Sequence, residues 1–287
     1  MGLRGARSEG WVGHGICRGL KGFLLGGAVG LGWAWFEAGW VRLDTLEVPL
    51  KELPKELAGL RIAHLSDLHL GVPGRGAVAV ERAVDWVEER QPDLTLISGD
   101  LLTRSSGEPR LRELVRRLPR CYAILGNHDL AISRDPFAQR TLLRDIEPAT
   151  LLSDEGVTIE VRGRRVYIAG ADPRSRWVST RRQPADLAVP RGEADLRILI
   201  AHYPRLIDEL PPDAFDLVVA GHMHDGQICL PYPGGKLRLA HLRARYTRGV
   251  YRRPGGVLHV SAGLGTTFVP LRFAARPEAT ELLLQSS

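Results

Sequence analysis

The sequence predicts an α/β fold, because strand-like and helix-like runs alternate through its first half. Short apolar runs at Arg61–Ser66, Asp93–Ser98 and Tyr122–Leu125 predict buried strands. Between them, Ala77–Arg90 places apolar residues at helical spacing, and Arg110–Leu118 predicts a second amphipathic helix. Strand-helix-strand alternation with short links is typical of parallel βαβ units. We therefore expect such units in the first half of the chain.

The second half is richer in strands. A short Arg-Gly-Arg turn separates two strand-like runs and predicts a hairpin. The strands predicted here are Thr158–Val161, Arg165–Ala169, Leu196–Ala201, Leu217–Ala220, Val257–Ser261 and Glu281–Leu284. Ahead of the first βαβ unit, Arg42–Leu60 reads as a linker, in which Leu46–Leu50 could form an edge strand.

The segment Ala171–Ala194 is rich in Pro, Arg and Asp and shows no regular period. It is long for a connection in a compact domain, and such loops often act as lids or binding elements. Its basic and aromatic side chains could grip a pyrophosphate or lie on lipid headgroups. These side chains are Arg174, Arg176, Trp177, Arg181 and Arg182.

Length and composition fit one large domain with an N-terminal appendage, which we place at residues 44–287 and 1–43. The apolar fraction of 44% and charged fraction of 25% are typical of a folded globular protein. The net charge of +6 is shared equally between the two parts, which argues against a nucleic-acid-binding stripe. The three cysteines are odd in number and far apart, so they indicate neither a disulfide framework nor a zinc knuckle.

The appendage contains an uncharged run at Gly22–Phe36, and its apolar character resumes after Glu37 up to Val41. About 20 apolar residues span a bilayer, so residues 22–41 are just long enough. Basic residues precede the run and three Trp residues cluster at its far end, which is the pattern of a signal anchor with a cytoplasmic N-terminus. A cleaved signal peptide, although no A-x-A site follows, and an interfacial or buried helix are the alternatives.

Polar side chains with metal-binding chemistry follow five of the predicted strands. They are Asp67 and His69, Asp100, Asn127 with His128 and Asp129, His202, and His222 with His224. Each of these clusters alone reads as an ordinary turn. Together they predict one cleft, since ligand sites of α/β sheets gather at the carboxyl ends of strands. Carboxylate, amide and imidazole donors suit first-row divalent metals better than calcium, and the lack of Cys argues against a structural zinc site.

The order D-x-H, G-D, G-N-H-D, H, G-H-x-H resembles that of the calcineurin-like metallophosphoesterases, over about residues 58–285. The resemblance implies a four-layer α/β/β/α sandwich and a binuclear centre that hydrolyses a phosphate ester or phosphoanhydride. It implies two divalent ions, with manganese as the first choice and iron or zinc as alternatives. The first ion would be held by Asp67, His69, Asp100 and His224. The second would be held by Asp100, Asn127, His202 and His222.

The same resemblance gives His128 a catalytic role instead of a ligand role. It would stabilise the transition state or protonate the leaving oxygen, because an imidazole has a pKa near the operating pH. Asp129 could orient the ring of His128 through a ring N–H. The alternative is that Asp129 only caps the next turn.

A narrower similarity lies in the flanking segments Gly221–Leu230, Ser261–Thr267 and 270–273. They resemble a membrane-tethered subgroup that includes a Bacillus phosphoesterase and a UDP-2,3-diacylglucosamine pyrophosphatase of lipid A synthesis. Met223 and Asp225 depart from that subgroup, which usually has Thr and Gly there. The similarity implies a phosphorylated lipid or nucleotide-lipid substrate, with UDP-2,3-diacylglucosamine the best candidate, and a single-pass anchor in the bacterial inner membrane.

Two other functions stay open from the sequence. One is a phosphodiesterase or phosphatase for a soluble nucleotide or phosphoprotein, in which the anchor only places the enzyme. The other is a non-catalytic scaffold, which the complete ligand set disfavours. A further basic group precedes the last Gly-rich turn and could hold an anionic substrate or form a solvated face. Its members are Arg243, Arg245, Arg248, Arg252 and Arg253.

Overall fold

A computed structural model describes residues 26–141, 143–175 and 181–287. It confirms the mixed α/β fold. The helices are α1 (residues 26–37), α2 (Gly76–Arg90) and α3 (Glu108–Val115). The first seven strands are β1 (Arg42–Leu50), β2 (Arg61–Leu65), β3 (Leu94–Ile97), β4 (Cys121–Ala123), β5 (Thr150–Leu151), β6 (Glu155–Val161) and β7 (Arg164–Gly170). The others are β8 (Leu196–Ile200), β9 (Leu217–Ala220), β10 (Cys229–Tyr232), β11 (Gly235–Arg238), β12 (Gly249–Arg253), β13 (Gly256–Val260) and β14 (Glu278–Ser286).

Two six-stranded sheets form the body of the fold. The first has the order β1-β14-β2-β3-β4-β5, in which β2 to β5 run parallel. The second has the order β12-β13-β9-β8-β7-β6, in which β13, β9, β8 and β7 run parallel. Because neighbouring parallel strands end at the same edge of a sheet, the segments after β2, β3 and β4 gather at one edge. Those after β8 and β9 gather likewise.

An apolar core fills the space between the sheets. It includes Ile62, Leu96, Ile168, Ile198 and Val219, all fully buried. These side chains come from strands of both sheets, as in a β-sandwich whose inner faces interdigitate. Burial of this kind contributes about 25 cal/mol per Å² of apolar surface, so it is the main force that holds the two sheets together.

The outer face of the first sheet is covered by α2 and α3. In α2, Val80, Ala83, Val84 and Val87 recur at helical spacing and are buried against the sheet. The helix ends at Gln91, whose left-handed backbone stops the hydrogen-bond ladder. The two helices begin and end within a few residues of the predicted ones.

The outer face of the second sheet differs from the predicted four-layer α/β/β/α sandwich, in which α-helices would cover it. In the part of the chain that the structure describes, this face is covered by short 3-10 helices and loops and not by an α-helix. Two of the 3-10 helices are Pro184–Leu187 and Pro204–Glu209, and each begins with a proline. Their apolar residues Leu187 and Ile207 pack onto the sheet. The fourth layer is therefore irregular.

Several strands are longer than predicted or lie where none was predicted. Strand β1 contains the predicted edge strand Leu46–Leu50 and extends it back to Arg42; it lies at the edge of the first sheet and pairs in parallel with β14. It therefore begins two residues before the predicted domain boundary at 44. The hairpin of β10 and β11 and the strand β12 lie where no strand was predicted.

Helix α1 packs against the domain through its C-terminal end. Ala38 is fully buried, the N–H of Arg272 donates to the carbonyl of Ala34 at 3.0 Å, and the N–H of Ala275 donates to the Glu37 carboxylate at 2.8 Å. Other side chains of this region are exposed: Val29, Leu31, Trp33, Trp35, Phe36 and Trp40.

The anchor predicted at about residues 22–41 begins outside the described residues. Among the residues described, no helix combines the length and the apolar character needed to cross a bilayer. The transmembrane anchor therefore stays a prediction.

Candidate metal centre

The structure brings all seven predicted ligand residues together at one edge of the sandwich. Asp67, Asp100 and Asn127 follow strands of the first sheet, whereas His202 and His222 follow strands of the second. His69 lies two residues beyond Asp67, and His224 two residues beyond His222. Six of the seven are almost completely buried, and His222 is partly buried. The carboxyl ends of parallel strands thus supply the site from both sheets.

One half of the site is formed by Asp67, His69 and His224. The Nε2 atoms of the two imidazoles are 3.1 Å apart, and Nε2 of His224 is 3.6 Å from Oδ1 of Asp67. Nε2 of His69 is also 3.5 Å from Oδ2 of Asp100. Ligand atoms from Asp67, His69 and His224 all lie within 4.8 Å of one another, as expected of groups that share one ion.

The other half is formed by Asn127, His202 and His222. Oδ1 of Asn127 lies 2.6 Å from Nε2 of His202 and 3.0 Å from Nδ1 of His222. Nε2 of His202 is 3.4 Å from Oδ2 of Asp100. The same carboxylate oxygen of Asp100 therefore faces both halves, which is the position of a bridging ligand.

The protonation states favour metal binding. Burial opposes ionisation of Asp100, but the nearby His202, His69 and His128 hold the pKa of that carboxyl well below its usual range. Burial lowers the pKa of His69 and that of His222 to about 3 each. Neutral imidazoles and an ionised carboxylate are the forms that bind metal ions.

Two members of the site carry opposite shifts. Burial raises the pKa of Asp67 to about 6. Burial would lower the pKa of His202, but the Asp100 carboxylate raises it to about 9. A divalent cation between these groups would stabilise the ionised carboxylate and displace the imidazole proton. The donor set therefore fits two divalent ions, and the residues present do not discriminate manganese from iron or zinc.

The backbone of the site is strained. Left-handed backbone conformations are uncommon outside glycine, and they cluster at functional sites. Five predicted ligands have positive φ: Asp67 (52°), His69 (48°), Asp100 (53°), His222 (70°) and His224 (49°). The surrounding fold must hold these residues in conformations that they would not adopt freely.

Two glycines allow the strand ends to approach each other. A Cβ atom on Gly126 would lie 2.0 Å from Oδ1 of Asp100. A Cβ atom on Gly221 would lie 1.8 Å from Oγ of Ser66, next to Asp67. Both distances are far inside van der Waals contact, so only glycine fits at these positions. This explains why the G-N-H-D and G-H-x-H clusters begin with glycine.

A second ring of contacts orients the predicted ligands. The hydroxyl of Thr103 lies 2.9 Å from Nδ1 of His69, and Nδ1 of His202 lies 2.9 Å from the carbonyl of Ser98. The hydroxyl of Ser66 donates to Asp67 at 2.5 Å. Such partners fix ring orientation and commonly affect metal affinity. None of the three belongs to a motif that could have been recognised by spacing.

Arg272 is a site residue whose role the sequence did not reveal. It is fully buried and donates to the carbonyls of Gly263, Gly265 and Ala275 at 2.7–3.1 Å. Its Nη2 lies 3.1 Å from Nδ1 of His224. Burial lowers the pKa of Arg272 to about 10, so the guanidinium stays charged at neutral pH. It holds the Gly-rich turn against His224. The only sequence signal was its place in the 270–273 flank.

His128 lies beside the site. Its Nε2 is 4.0 Å from Oδ2 of Asp100 and 2.9 Å from the hydroxyl of Ser133. Its Nδ1 is buried without a hydrogen bond among the described residues and lies 4.0 Å from Oδ2 of Asp135. His69, Asp100 and His128 also place ligand atoms within 4.8 Å of one another. Geometry alone therefore allows His128 to act as a ligand, and its non-ligand role stays a prediction.

The contacts of Asp129 correct its predicted orienting role. Its carboxylate accepts hydrogen bonds from the backbone N–H groups of Leu101, Leu102 and Gly126, at 2.8–3.0 Å. The carboxylate nearest to Nδ1 of His128 is that of Asp135. Asp129 is fully buried, and its three bonds tie the segment after β3 to the segment after β4. These contacts agree with the alternative prediction, in which Asp129 has a structural role in a turn.

The predicted lid contains an ion-pair cluster at its base. Arg174 and Arg181 both donate to the carboxylate of Asp172, at 2.6 Å each. Within the lid, Arg176 and Trp177 lie outside the described residues. The described part thus uses its Arg side chains internally, and a substrate role for Ala171–Ala194 stays a prediction.

The second predicted basic group is also engaged within the protein. Arg248 pairs with Glu278, and the guanidinium of Arg253 lies 5.0 Å from the ring centroid of Tyr246. These contacts stabilise the edge of the second sheet and its junction with β14. They favour the structural reading of this basic group over the substrate-binding one.

The chain is similar to a known protein family and to several known proteins. A family model described as calcineurin-like phosphoesterase matches residues 60–226, more than half of the chain. The chain is 28% identical to an uncharacterized metallophosphoesterase, YkoQ, of Bacillus subtilis, with 84% of this chain and 89% of that protein covered. It is 26% identical to phosphodiesterase YaeI of Escherichia coli, with 86% and 90% covered. It is 31% identical to a transmembrane protein with metallophosphoesterase domain of Danio rerio, with 84% and 57% covered.

The matched region contains all five clusters that form the site, from Asp67 to His224. The narrower subgroup around UDP-2,3-diacylglucosamine pyrophosphatase stays a prediction. The geometry, the donor chemistry and the family model agree on the broader assignment. The chain belongs to the calcineurin-like phosphoesterase family and is a metal-dependent hydrolase of phosphoesters.

Proposed function

We propose that this hydrolase cuts a phosphodiester or phosphoanhydride bond at a binuclear centre. The observation that carries the proposal is the position of Asp100, whose Oδ2 lies 3.5 Å from Nε2 of His69 and 3.4 Å from Nε2 of His202. One carboxylate oxygen between two sets of nitrogen donors supports a shared ligand. Manganese is our first choice of ion, with iron and zinc as alternatives.

The ions, when bound, would offset the charge of the phosphoryl oxygens and lower the pKa of a water molecule. The residues of the chain would hold them in place from both sheets. His128 faces the same space from the side, and burial lowers its pKa, so it is a neutral imidazole at neutral pH. A neutral imidazole still has one N–H to donate. We assign His128 to the leaving oxygen, with Ser133 and Asp135 positioning its ring.

We further propose that the substrate is a phosphorylated lipid or lipid-linked nucleotide. UDP-2,3-diacylglucosamine is the specific candidate, cut at its pyrophosphate with release of UMP. The flanking segments that resemble a membrane-tethered subgroup support this, as does the exposed aromatic surface of α1. An anchor at residues 22–41 in the bacterial inner membrane would let the enzyme meet such a substrate in two dimensions, which raises the effective concentration.

A substrate panel tests the proposal. Full-length protein, stripped of metal, would receive manganese, iron or zinc in turn, each with UDP-2,3-diacylglucosamine, its deacylated counterpart and bis(p-nitrophenyl) phosphate. We expect hydrolysis of the phosphodiester and a kcat/KM at least tenfold higher for the diacylated nucleotide sugar than for the deacylated one. Equal values for the two would favour a soluble substrate. No hydrolysis of any of the three with any metal would contradict the reaction itself.

A further inference from the structure

An apolar groove opens directly beside the metal centre. It has a volume of about 290 Å³. Its lining includes Thr103, whose hydroxyl contacts His69, and Asp135, which lies 4.0 Å from His128. A substrate whose phosphorus lies between the predicted ligands would therefore extend one substituent into this groove.

The walls of the groove are apolar side chains from three separate loops. They are Val72, Pro73, Phe137, Phe268, Val269 and Pro270. Phe268 is 53% exposed, Phe137 46% and Val269 41%. Single exposed apolar side chains are ordinary, but a contiguous set marks a binding surface.

Two buried polar side chains hold these walls in place. The carboxylate of Asp135 accepts hydrogen bonds from the N–H of Phe137 at 2.9 Å and from the N–H of Phe268 at 2.8 Å. The amide of Gln227 bonds both the N–H and the carbonyl of Thr267, at 2.9 and 2.8 Å, and the carbonyl of Val269 at 3.1 Å. The backbone of Phe268 is left-handed, with φ of 57°, although its side chain is exposed. A strained backbone that hydrogen bonds fix at an exposed apolar residue indicates a functional constraint.

One cation lies in the groove. The guanidinium of Arg104 is 5.7 Å from the ring centroid of Phe137, and its buried Nε makes no hydrogen bond to any described residue. A buried donor without a partner is costly, so a ligand acceptor here would be stabilised. Apolar walls beside a donor that lacks a partner among the described residues match the ester end of an acyl chain, which offers a carbonyl oxygen followed by methylene groups.

The exposed aromatic surface of α1 lies near one wall of the groove. Arg75 is two residues from Pro73 of that wall, and its guanidinium lies 4.8 Å from the ring centroid of Trp35 and 5.6 Å from that of Phe36. A lipid surface that contacts α1 would therefore present an apolar substituent close to the groove.

We propose that this groove binds one acyl chain of the phosphoester that is cut at the metal centre, an inference that rests on the proposed function. Its volume is near the lower end of small-molecule sites, which begin at about 300 Å³, so it holds one chain and not a whole diacyl lipid. Burial of the acyl chain in the groove would favour amphiphilic substrates, while hydrolysis at the metal centre is common to all phosphodiesters.

A chain-length series tests the groove. The probes are p-nitrophenyl alkyl phosphodiesters with ethyl, butyl and octyl groups, each below its micellar concentration. Every CH₂ buried should raise kcat/KM by up to about fourfold, which corresponds to about 0.8 kcal/mol. For the wild-type protein we therefore expect the octyl ester to exceed the ethyl ester by at least tenfold.

A matched pair of variants links this preference to the groove. Val269 is 41% exposed in the groove, and Val250 is 40% exposed on β12, outside it. Val269→Trp fills the groove and should reduce the octyl-to-ethyl ratio to below threefold, whereas Val250→Trp should keep the wild-type ratio. Melting temperatures of both variants check that each is folded.

The outcomes separate the two proposals. An active enzyme with equal kcat/KM for all chain lengths, or a ratio that Val269→Trp leaves unchanged, overturns the groove and leaves the proposed function standing. If neither these esters nor any substrate of the panel above is hydrolysed, the proposed function fails, and fluorescence of dansylundecanoic acid on the metal-free proteins decides. Binding by wild type and Val250→Trp at least tenfold tighter than by Val269→Trp supports the groove; equal binding by all three overturns it.

Discussion

The carboxylate of Asp135 lies 4.0 Å from Nδ1 of His128, and the same carboxylate bonds the backbone of Phe137 and Phe268. One buried side chain thus adjoins both the imidazole that we assign to the leaving oxygen and the two walls of the apolar groove. Asp129, the next residue after His128, points instead to three backbone N–H groups. The two acidic residues near His128 therefore have different tasks.

The role of His128 can be separated from metal binding. His128→Asn should keep two metal ions per chain and lower kcat by about 10²–10⁴, since a positioned donor to the leaving oxygen is lost. Elemental analysis of the purified variant, together with its kcat on bis(p-nitrophenyl) phosphate, is the measurement. Loss of one ion would show instead that His128 completes the cluster with His69 and Asp100.

Asp100 should matter more for metal content than any ligand on one side only. Asp100→Asn removes a charge that faces both halves of the site, whereas His69→Asn removes a donor from one half. We expect Asp100→Asn to lose more metal and more activity than His69→Asn. Two tightly bound ions and normal turnover in Asp100→Asn would rule out a bridging role.

Asp129 should act on stability. Asp129→Ala leaves three buried N–H groups without an acceptor, and each such group costs about 1–3 kcal/mol. The free energy of unfolding should fall by at least about 3 kcal/mol in urea titrations. Glu89→Ala, at an exposed position on α2, serves as the control and should change it by less than about 1 kcal/mol. Similar stability of Asp129→Ala and wild type would contradict this account.

Arg272 should affect metal affinity from outside the ligand set. Arg272→Lys keeps the charge but cannot reach the carbonyls of Gly263, Gly265 and Ala275 together. Loss of an orienting partner typically weakens metal binding by about 10–100-fold. Competition with a chelator measures the affinity, and Arg252→Lys, at an exposed position on β12, is the control. Equal affinities in both variants would exclude a positioning role.

Asp172 should contribute stability that depends on pH. Burial favours the neutral form, but hydrogen bonds from Arg174 and Arg181 lower the pKa of Asp172 from 3.8 to about 2. A carboxyl whose pKa is depressed by folding stabilises the protein above its unfolded pKa, and this is lost as pH falls from about 4 to 2. Asp172→Asn should cost about 2 kcal/mol at pH 7 and about half of that at pH 3. A penalty that does not change between these pH values would contradict the ion-pair account.

The sequence predicted the sandwich core and the metal cluster well because both depend on local signals. The strands β2, β3 and β9 are short apolar runs, and predicted ligands lie within four residues after each of them. Of strand β1 only the end Leu46–Leu50 was predicted, as an edge strand. The part Arg42–Thr45 has no apolar run, and its partner β14 lies at the other end of the chain. Long-range pairing with β14 makes this part a strand.

The sequence predicted neither the irregular fourth layer nor the residues that orient the ligands, for related reasons. Prolines begin the segments Pro184–Leu187 and Pro204–Glu209, and the tertiary packing of Leu187 and Ile207 fixes short 3-10 turns where the family resemblance implied helices. Thr103, Asp135 and Arg272 reach the site from separate loops, and no spacing along the chain connects them to it. Proximity in space, which the sequence does not state, gives them their roles.

Each half of the site takes its predicted ligands from both sheets, and this has a consequence for folding. Asp67, His69 and Asp100 belong to the first sheet, while His202, His222 and His224 belong to the second. Each ion would therefore act as a cross-link that closes one edge of the sandwich, in addition to its part in hydrolysis. A ligand that binds only the folded state stabilises it by RT ln(1 + [L]/Kd), which is about 2.7 kcal/mol at a ligand concentration of 100 times Kd. The supply of metal would therefore govern the stability of the packing between the two sheets.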